Sequence, residues 1–283
     1  MDLEQKSIER IKTASEMSLH HYGKPLICTY SGGKDSDVML ELFKRSGVPF
    51  EVSHGLTTVD APPTVRHIKE TFARLEESGI TATIHHPKMT MWQLIPHKKM
   101  PPSRMKRYCC EEYKENVNPN RFVATGVRWA ESNKRKNRQD IEPKEKKAAE
   151  KLLLMSENDR KRALIETCKI KGNMIVNPIV DWLDSDIWEY YWNECPSHND
   201  LYEMGYYRVG CIGCPMAGKK HRYKEFSDFP TYQRAYIRAF GKMLEAIHAA
   251  GKETRWKNAD DVFRWWMEDT NVEGQISMFD DTE

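Results

Sequence analysis

The sequence predicts an α/β fold, a parallel sheet covered on both faces by helices, with a helical extension toward the C-terminal end. Three observations predict it. Short apolar runs alternate with helical patterns through the first half, the turn Ser31-Gly32-Gly33-Lys34-Asp35-Ser36 joins the first run to a helical stretch, and the pattern beyond His221 is helical alone. Strands alternating with helices form parallel sheets whose two faces the helices bury.

Taken in order, Pro25 to Tyr30 supplies an apolar strand over 26–30, and Val38-Met39-Leu40-Glu41-Leu42-Phe43 reads as the helix that follows. Residues 50–56 read as a buried strand, 61–78 as a helix opened by Pro62-Pro63, 81–86 as a strand rich in Thr and Ile, and Arg121 to Thr125 as another strand. Ligands of such sheets bind beyond the carboxyl ends of the strands. The loop at 31–36, the segment Thr57 to Asp60 and Gly126 all fall there. From Tyr232 through Tyr236, Ile237, Phe240, Met243, Leu244 and Ile247 to Phe263, Trp265 and Trp266, apolar residues recur at helical spacing, ahead of a polar tail, Ser277 to Glu283.

Composition sets the class. The 283 residues are 39% hydrophobic and 30% charged, enough for one large domain over 1–220 and a helical extension over 221–283. No apolar run is long enough to span a membrane, and the first residues mix acidic, basic and apolar side chains, unlike a signal peptide. The expectation is a cytoplasmic enzyme. A formal net charge of +2 does not by itself call for a polyanionic partner. Residues 133–163 form a basic insertion, with eleven Lys and Arg against six Asp and Glu between Lys134 and Arg162. It reads either as a solvated helical segment or as a basic flap over a polyanion.

A strand, a tight glycine turn and a helix aim backbone N–H groups and a helix N-terminus at an anion. The two glycines permit positive φ and close approach, Ser31 and Ser36 add hydroxyls, and Lys34 adds charge. The adjacent glycines exclude the Walker pattern. Cysteines give the second signal. Cys109-Cys110 is a tandem pair and Cys211-Ile212-Gly213-Cys214 a C-x-x-C, while Cys28, Cys168 and Cys195 read as packing residues. Without a secretory signal a disulfide framework is the poorer account, and four thiolates hold zinc or an iron–sulfur cluster, or remain ordinary thiols.

The loop resembles the PP-loop of the adenine nucleotide alpha-hydrolase superfamily, and three further stretches resemble the phosphoadenosine phosphosulfate (PAPS) reductase family within it. They are Gly126-Val127-Arg128-Trp129-Ala130-Glu131-Ser132 with Arg135, Asn177-Pro178-Ile179-Val180-Asp181-Trp182 with Asp186, Ile187 and Trp188, and Tyr202, Gly205, Arg208 and Gly210 before the C-x-x-C. The tandem pair within Arg104 to Lys114, with the distant C-x-x-C, is similar to the iron–sulfur subgroup of adenylyl-sulfate reductases. The resemblance spans about residues 20–220.

The resemblance implies a Rossmann-like PP-loop sheet that binds ATP or PAPS. It assigns phosphate binding to Ser31, Gly32, Gly33, Lys34 and Ser36, magnesium or loop support to Asp35 or Asp60, the strand end beside the nucleotide to Gly126, nucleotide charge to Arg128 and Arg135, and a 4Fe–4S cluster to Cys109, Cys110, Cys211 and Cys214. Lys34, Asp35 and Asp60 are the catalytic candidates. Trp182 and Trp188 read as packing residues, and His54, His85 and His86 as structural. The family's adenylyl-sulfate reductases use a late Cys-Gly-Leu-His cysteine as nucleophile, and no cysteine follows Cys214. The function that best matches is therefore nearer the ATP pyrophosphatases of DNA phosphorothioation and tRNA thiolation: ATP yields AMP and pyrophosphate, and an activated acceptor takes up sulfur. The implied partners are an adenine nucleotide, a nucleic acid (DNA or tRNA), a sulfur donor such as a cysteine desulfurase and a second copy of the chain in a homodimer, with no membrane. A reductase releasing sulfite and a non-catalytic nucleotide-binding accessory subunit are the alternatives.

Overall fold

Six strands build one sheet in the computed structural model, which describes residues 2–131, 135–145 and 173–268. They are β1 (Leu26–Thr29), β2 (Phe50–Gly55), β3 (Ala82–His85), β4 (Phe122–Ala124), β5 (Ile141–Pro143) and β6 (Met174–Val176), in the order β3-β2-β1-β4-β6-β5. All pair in parallel except β5, which runs antiparallel to β6. The α/β reading of the sequence is thus the observed fold. The chain steps outward from β1 to β3 on one side, and on the other it passes from β4 to the edge strand β5 and returns to place β6 between them. The switch point lies between β1 and β4, where a doubly wound sheet opens a crevice for ligands.

This sheet organises the first of two compact units, which among the described residues takes in 2–55, 62–85 and 116–209. Helix α1 (Leu3–Tyr22) starts where the Asp2 side chain accepts from Glu4 N–H and stops at Gly23, whose φ of +61° makes the left-handed C-terminal turn. Helix α2 (Lys34–Ser46) buries Val38, Met39, Leu42 and Phe43, and α3 (Pro62–Glu77) buries Ile68, Phe72 and Leu75. Together with Leu26, Cys28, Val52 and Ala124 of the sheet they make the core. Helices α6 (Asp184–Glu194) and α7 (Asp200–Glu203) complete the unit. Cys28 is fully buried and Cys195 is 7% exposed, so both pack in this core.

The second unit takes in 56–61, 86–115 and 210–268. It contains α4 (Met91–Lys98), the short α5 (Tyr108–Cys110) continued by a π-helical turn (Glu111–Glu115), α8 (Lys219–Asp228), α9 (Pro230–Ala249) and α10 (Ala259–Glu268). Trp92 of α4 meets Tyr236 of α9 edge-on at 5.0 Å, and Trp266 of α10 lies 4.7 Å from the same tyrosine.

The two units interleave along the chain, whereas the sequence reading sets 1–220 before 221–283. β5 falls inside the stretch read as a basic insertion. Residues 133–134 and 146–163 of that stretch, Ser132, Cys168 and the polar tail at 277–283 lie outside the described residues. Among the described residues no helix is long and apolar enough to cross a membrane.

Candidate functional site

Two sets of residues stand out, one in each unit. In the first unit, Tyr30 ends the strand direction of β1 and the chain turns through Ser31, Gly32 and Gly33 into α2. Gly32 has φ +71°, and a Cβ on it would come within 2.9 Å of Ile68 Cγ1, so only glycine fits there. The Ser31 and Gly33 N–H groups both point at Ser36 Oγ, at 3.2 and 3.1 Å, and that hydroxyl donates to Gly33 O at 2.7 Å. Two amides converging on one oxygen at the start of a helix is the geometry of an anion cradle.

Segments distant in sequence fix this turn. Asn199, fully buried, donates from Nδ2 to Gly32 O at 2.7 Å, and Lys34 N–H donates to the Tyr202 hydroxyl at 2.8 Å. The Lys34 ammonium, buried, sits 3.0 Å from Asp35 Oδ2 and 5.2 Å above the Trp188 ring. Arg128 is 2% exposed and turns inward, with Nε on Asp35 Oδ1 at 2.6 Å, Nη2 on Asp184 at 2.6 Å and Nη1 on Trp182 O at 3.4 Å. A Cβ on Gly126 would lie 3.4 Å from Asp35 Cβ, an ordinary contact, so the end of β4 lies against the first turn of α2. Arg135 pairs with Glu131, whose carboxylate also accepts from Arg128 N–H at 2.9 Å. The structure thus brings Ser31 to Ser36, Gly126 and Arg128 together and ties Arg135 to them through Glu131.

Both carboxylate oxygens of Asp35 are taken by cations, so Asp35 as it stands does not fit a magnesium ligand and fits loop support. Asn199, Tyr202 and Asp184 were not singled out from sequence as loop contacts. Nothing local marks them, since Asn199 lies 167 residues from the carbonyl it holds. Trp182 is buried and donates to Ser7 Oγ at 3.0 Å.

The second unit holds Asp60 and the four cysteines. Asp60 forms an antiparallel bridge with Cys211 and accepts from Thr57 N–H at 2.9 Å. The four thiols are electrostatic neighbours. Cys109 is pushed up by its hydrogen bond to Cys110, by burial and by the negative charge of Cys110, Cys211 and Cys214. Cys110 is drawn down to about 5, first by the Cys109 hydrogen bond, then by a hydrogen bond and charge from Arg107 and by the charge of Lys114. Cys211 is pushed up to about 11 by burial and Asp60, against the pull of Lys114. Lys114, on the π-helical turn, is itself raised, chiefly by Cys211.

Four sulfur donors with two cations beside them have the chemistry of an iron–sulfur or zinc site. Among the described residues no three His, Cys, Asp or Glu side chains close on one point as a metal ion requires. The donor set matches such a site by its chemistry alone.

The family model of the phosphoadenosine phosphosulfate reductase domain matches residues 25–217. An uncharacterised protein of Methanocaldococcus jannaschii is 26% identical over 270 residues, covering 90% of this chain, and the chain spans 57% of that relative's length. An adenosine 5'-phosphosulfate reductase of Anoxybacillus flavithermus is 24% identical over 233 residues, covering 75% of this chain and 85% of its own. The solved phosphoadenylyl-sulfate reductase of Candida auris, a phosphate complex, is 16% identical and covers 73% of this chain and 88% of its own, at a TM-score of 0.48.

Proposed function

The chain belongs to the phosphoadenosine phosphosulfate reductase domain family, and from that premise we propose that it binds ATP on the Ser31–Ser36 loop and releases pyrophosphate, activating an acceptor for sulfur transfer. The observation that carries this reading is the convergence of the Ser31 and Gly33 amides on one oxygen beside the buried Lys34 ammonium. A phosphate oxygen in the place of Ser36 Oγ would take both N–H groups. Lys34 would then neutralise charge that grows on the leaving pyrophosphate.

In this reading the acceptor's oxygen attacks the α-phosphorus, the bond to the β-phosphate oxygen breaks, and pyrophosphate departs with the electron pair. Hydrosulfide, released by thiol reduction from the persulfide of a donor such as a cysteine desulfurase, afterwards attacks the activated acceptor and displaces AMP with its electron pair. Arg128 acts through Asp35, which it holds against Lys34. Cys109, Cys110, Cys211 and Cys214 would hold the 4Fe–4S cluster, which with all four irons ligated by thiolates would supply electron transfer. No step is assigned to magnesium. The acceptor is a nucleic acid, DNA or tRNA.

The reductase reading has its own support, since two relatives carry that name. It needs a nucleophilic cysteine, and the last cysteine of this sequence is Cys214, which the cluster takes. The test is product analysis on anaerobically purified protein given ATP, adenosine phosphosulfate or PAPS, with and without DNA or tRNA. AMP and pyrophosphate from ATP, increased by nucleic acid, are expected. Sulfite from either sulfonucleotide, with no pyrophosphate from ATP, would establish the reductase instead, and binding without turnover the accessory subunit.

A further inference from the structure

Beyond the cysteines themselves, three buried polar side chains on three separate helices bond to the backbone of the cysteine-bearing segments. Tyr236 on α9, 2% exposed, donates its hydroxyl to Ile212 O at 2.9 Å. Trp266 on α10, 3% exposed, donates Nε1 to Pro102 O at 2.7 Å, ahead of the tandem pair. Glu225 on α8, 4% exposed, accepts from Gly213 N–H through Oε2 at 2.8 Å, inside the C-x-x-C.

Glu225 is the unusual member. A carboxylate is seldom this buried without a partner, and its second oxygen meets His221 Nε2 at 3.1 Å, one helical turn away. The amide it holds belongs to a residue at φ +73°, where a Cβ would come within 2.7 Å of Phe226 Cζ and 2.8 Å of Trp266 Cη2. A side chain at position 213 would strain the backbone and press on two buried rings, so the turn between Cys211 and Cys214 calls for glycine there. All three clamps lie beyond residue 217, outside the stretch that the family model matches.

We propose that α8, α9 and α10 are a clamp that pre-shapes the thiol site, and that Glu225, oriented by His221, is the positioning residue of the C-x-x-C turn. This rests on the reading of the four thiols as a cluster site. Partners outside the ligand sphere fix ligand orientation, and their loss costs about 10–100-fold in metal affinity.

The experiment compares full-length wild type with Glu225→Ala and Glu225→Gln. Deuterium exchange at the Gly213 amide is read in the metal-free protein, and affinity is read with cobalt(II) as the probe. Glu225→Ala is expected to speed exchange at Gly213 and to weaken cobalt binding by about tenfold or more. Glu225→Gln, whose amide oxygen still accepts, is expected to keep both. Should Glu225→Ala not fold, Tyr236→Phe, which frees only the Ile212 carbonyl, carries the same exchange and cobalt readouts. Unchanged exchange and unchanged cobalt affinity in the folded variant would overturn the proposal. Wild-type protein isolated without iron would remove the cluster from the proposed function, while exchange and cobalt affinity would still decide the role of Glu225.

Discussion

Arg128 carries its charge at 2% exposure, so its partners decide whether it stabilises the fold or weakens it. The Asp184 side chain is 69% exposed and screened by water, whereas Asp35 is 25% exposed and shares its other oxygen with Lys34. Asp35 is thus the partner that matters. Arg128→Ala would leave Asp35 held by Lys34 alone and pull that ammonium off the cradle. We expect a loss of about 3 kcal/mol in urea unfolding and weaker ATP binding by calorimetry. Arg128→Lys should recover only part of it, because a single ammonium cannot span both carboxylates. The glycines of the site make a sharper contrast. Gly32→Ala meets Ile68 Cγ1 at 2.9 Å from a left-handed backbone, and should cost about 1–3 kcal/mol and abolish nucleotide binding. Gly126→Ala meets its nearest atom at 3.4 Å and should be far milder in both. Equal effects at the two positions would mean that the turn of Gly32 is not what shapes the cradle.

At the scale of elements, α1 is tied to the segment after β6 by one carboxylate. Asp181 receives Arg10 at 2.6 Å and Lys6 at 2.5 Å. Burial pushes its carboxyl up, but the hydrogen bonds from Arg10 and Lys6 and the Arg10 charge outweigh it and hold it down to about 2. A depressed carboxyl stabilises the fold above its unfolded value, about 3.9, and loses that contribution as pH falls toward 2. The shift is worth on the order of 2.5 kcal/mol at neutral pH. Wild type should therefore exceed Asp181→Asn in unfolding free energy at pH 7, with the gap closing between about pH 4 and pH 2. A gap that persists at pH 2 would place the effect in packing. Legibility also differs by element. β1 to β4 and α3 were readable to within a residue or two, because apolar runs of strand length are bounded by Gly and Pro. β5 and β6 were not, since three residues set no periodicity and their pairing depends on partners elsewhere. The cradle and the thiols were legible as residue types at fixed spacing. The contacts that hold them, Asn199 on Gly32 and Glu225 on Gly213, belong to tertiary pairing and leave no local pattern.

At the scale of the whole molecule, the Ser31–Ser36 turn belongs to one unit and the four thiols to the other. The question this raises is whether the thiol-bearing unit needs a metal in order to fold. Small metal domains do, because their apolar cores are too thin to offset chain entropy. Here Tyr236, Phe240, Met243 and Trp266 are at most 3% exposed, Phe226 packs edge-on to Tyr236 at 5.9 Å, and the buried Arg222 guanidinium stacks on Trp266 at 4.2 Å. That core, with the Tyr236, Trp266 and Glu225 bonds to the cysteine segments, holds the unit without calling on the thiols. Anaerobic chelation, or Cys214→Ser, should therefore strip iron while leaving far-ultraviolet circular dichroism intact and ATP affinity near that of the loaded protein. Pyrophosphate release from ATP, read on the same samples, then separates two roles for the cluster. Release that survives iron loss would assign the cluster to the later sulfur-transfer step, because activation of the acceptor would need only the cradle. Collapse of the circular dichroism signal on chelation would show instead that the metal is part of what folds the unit, and that the aromatic core does not stand alone.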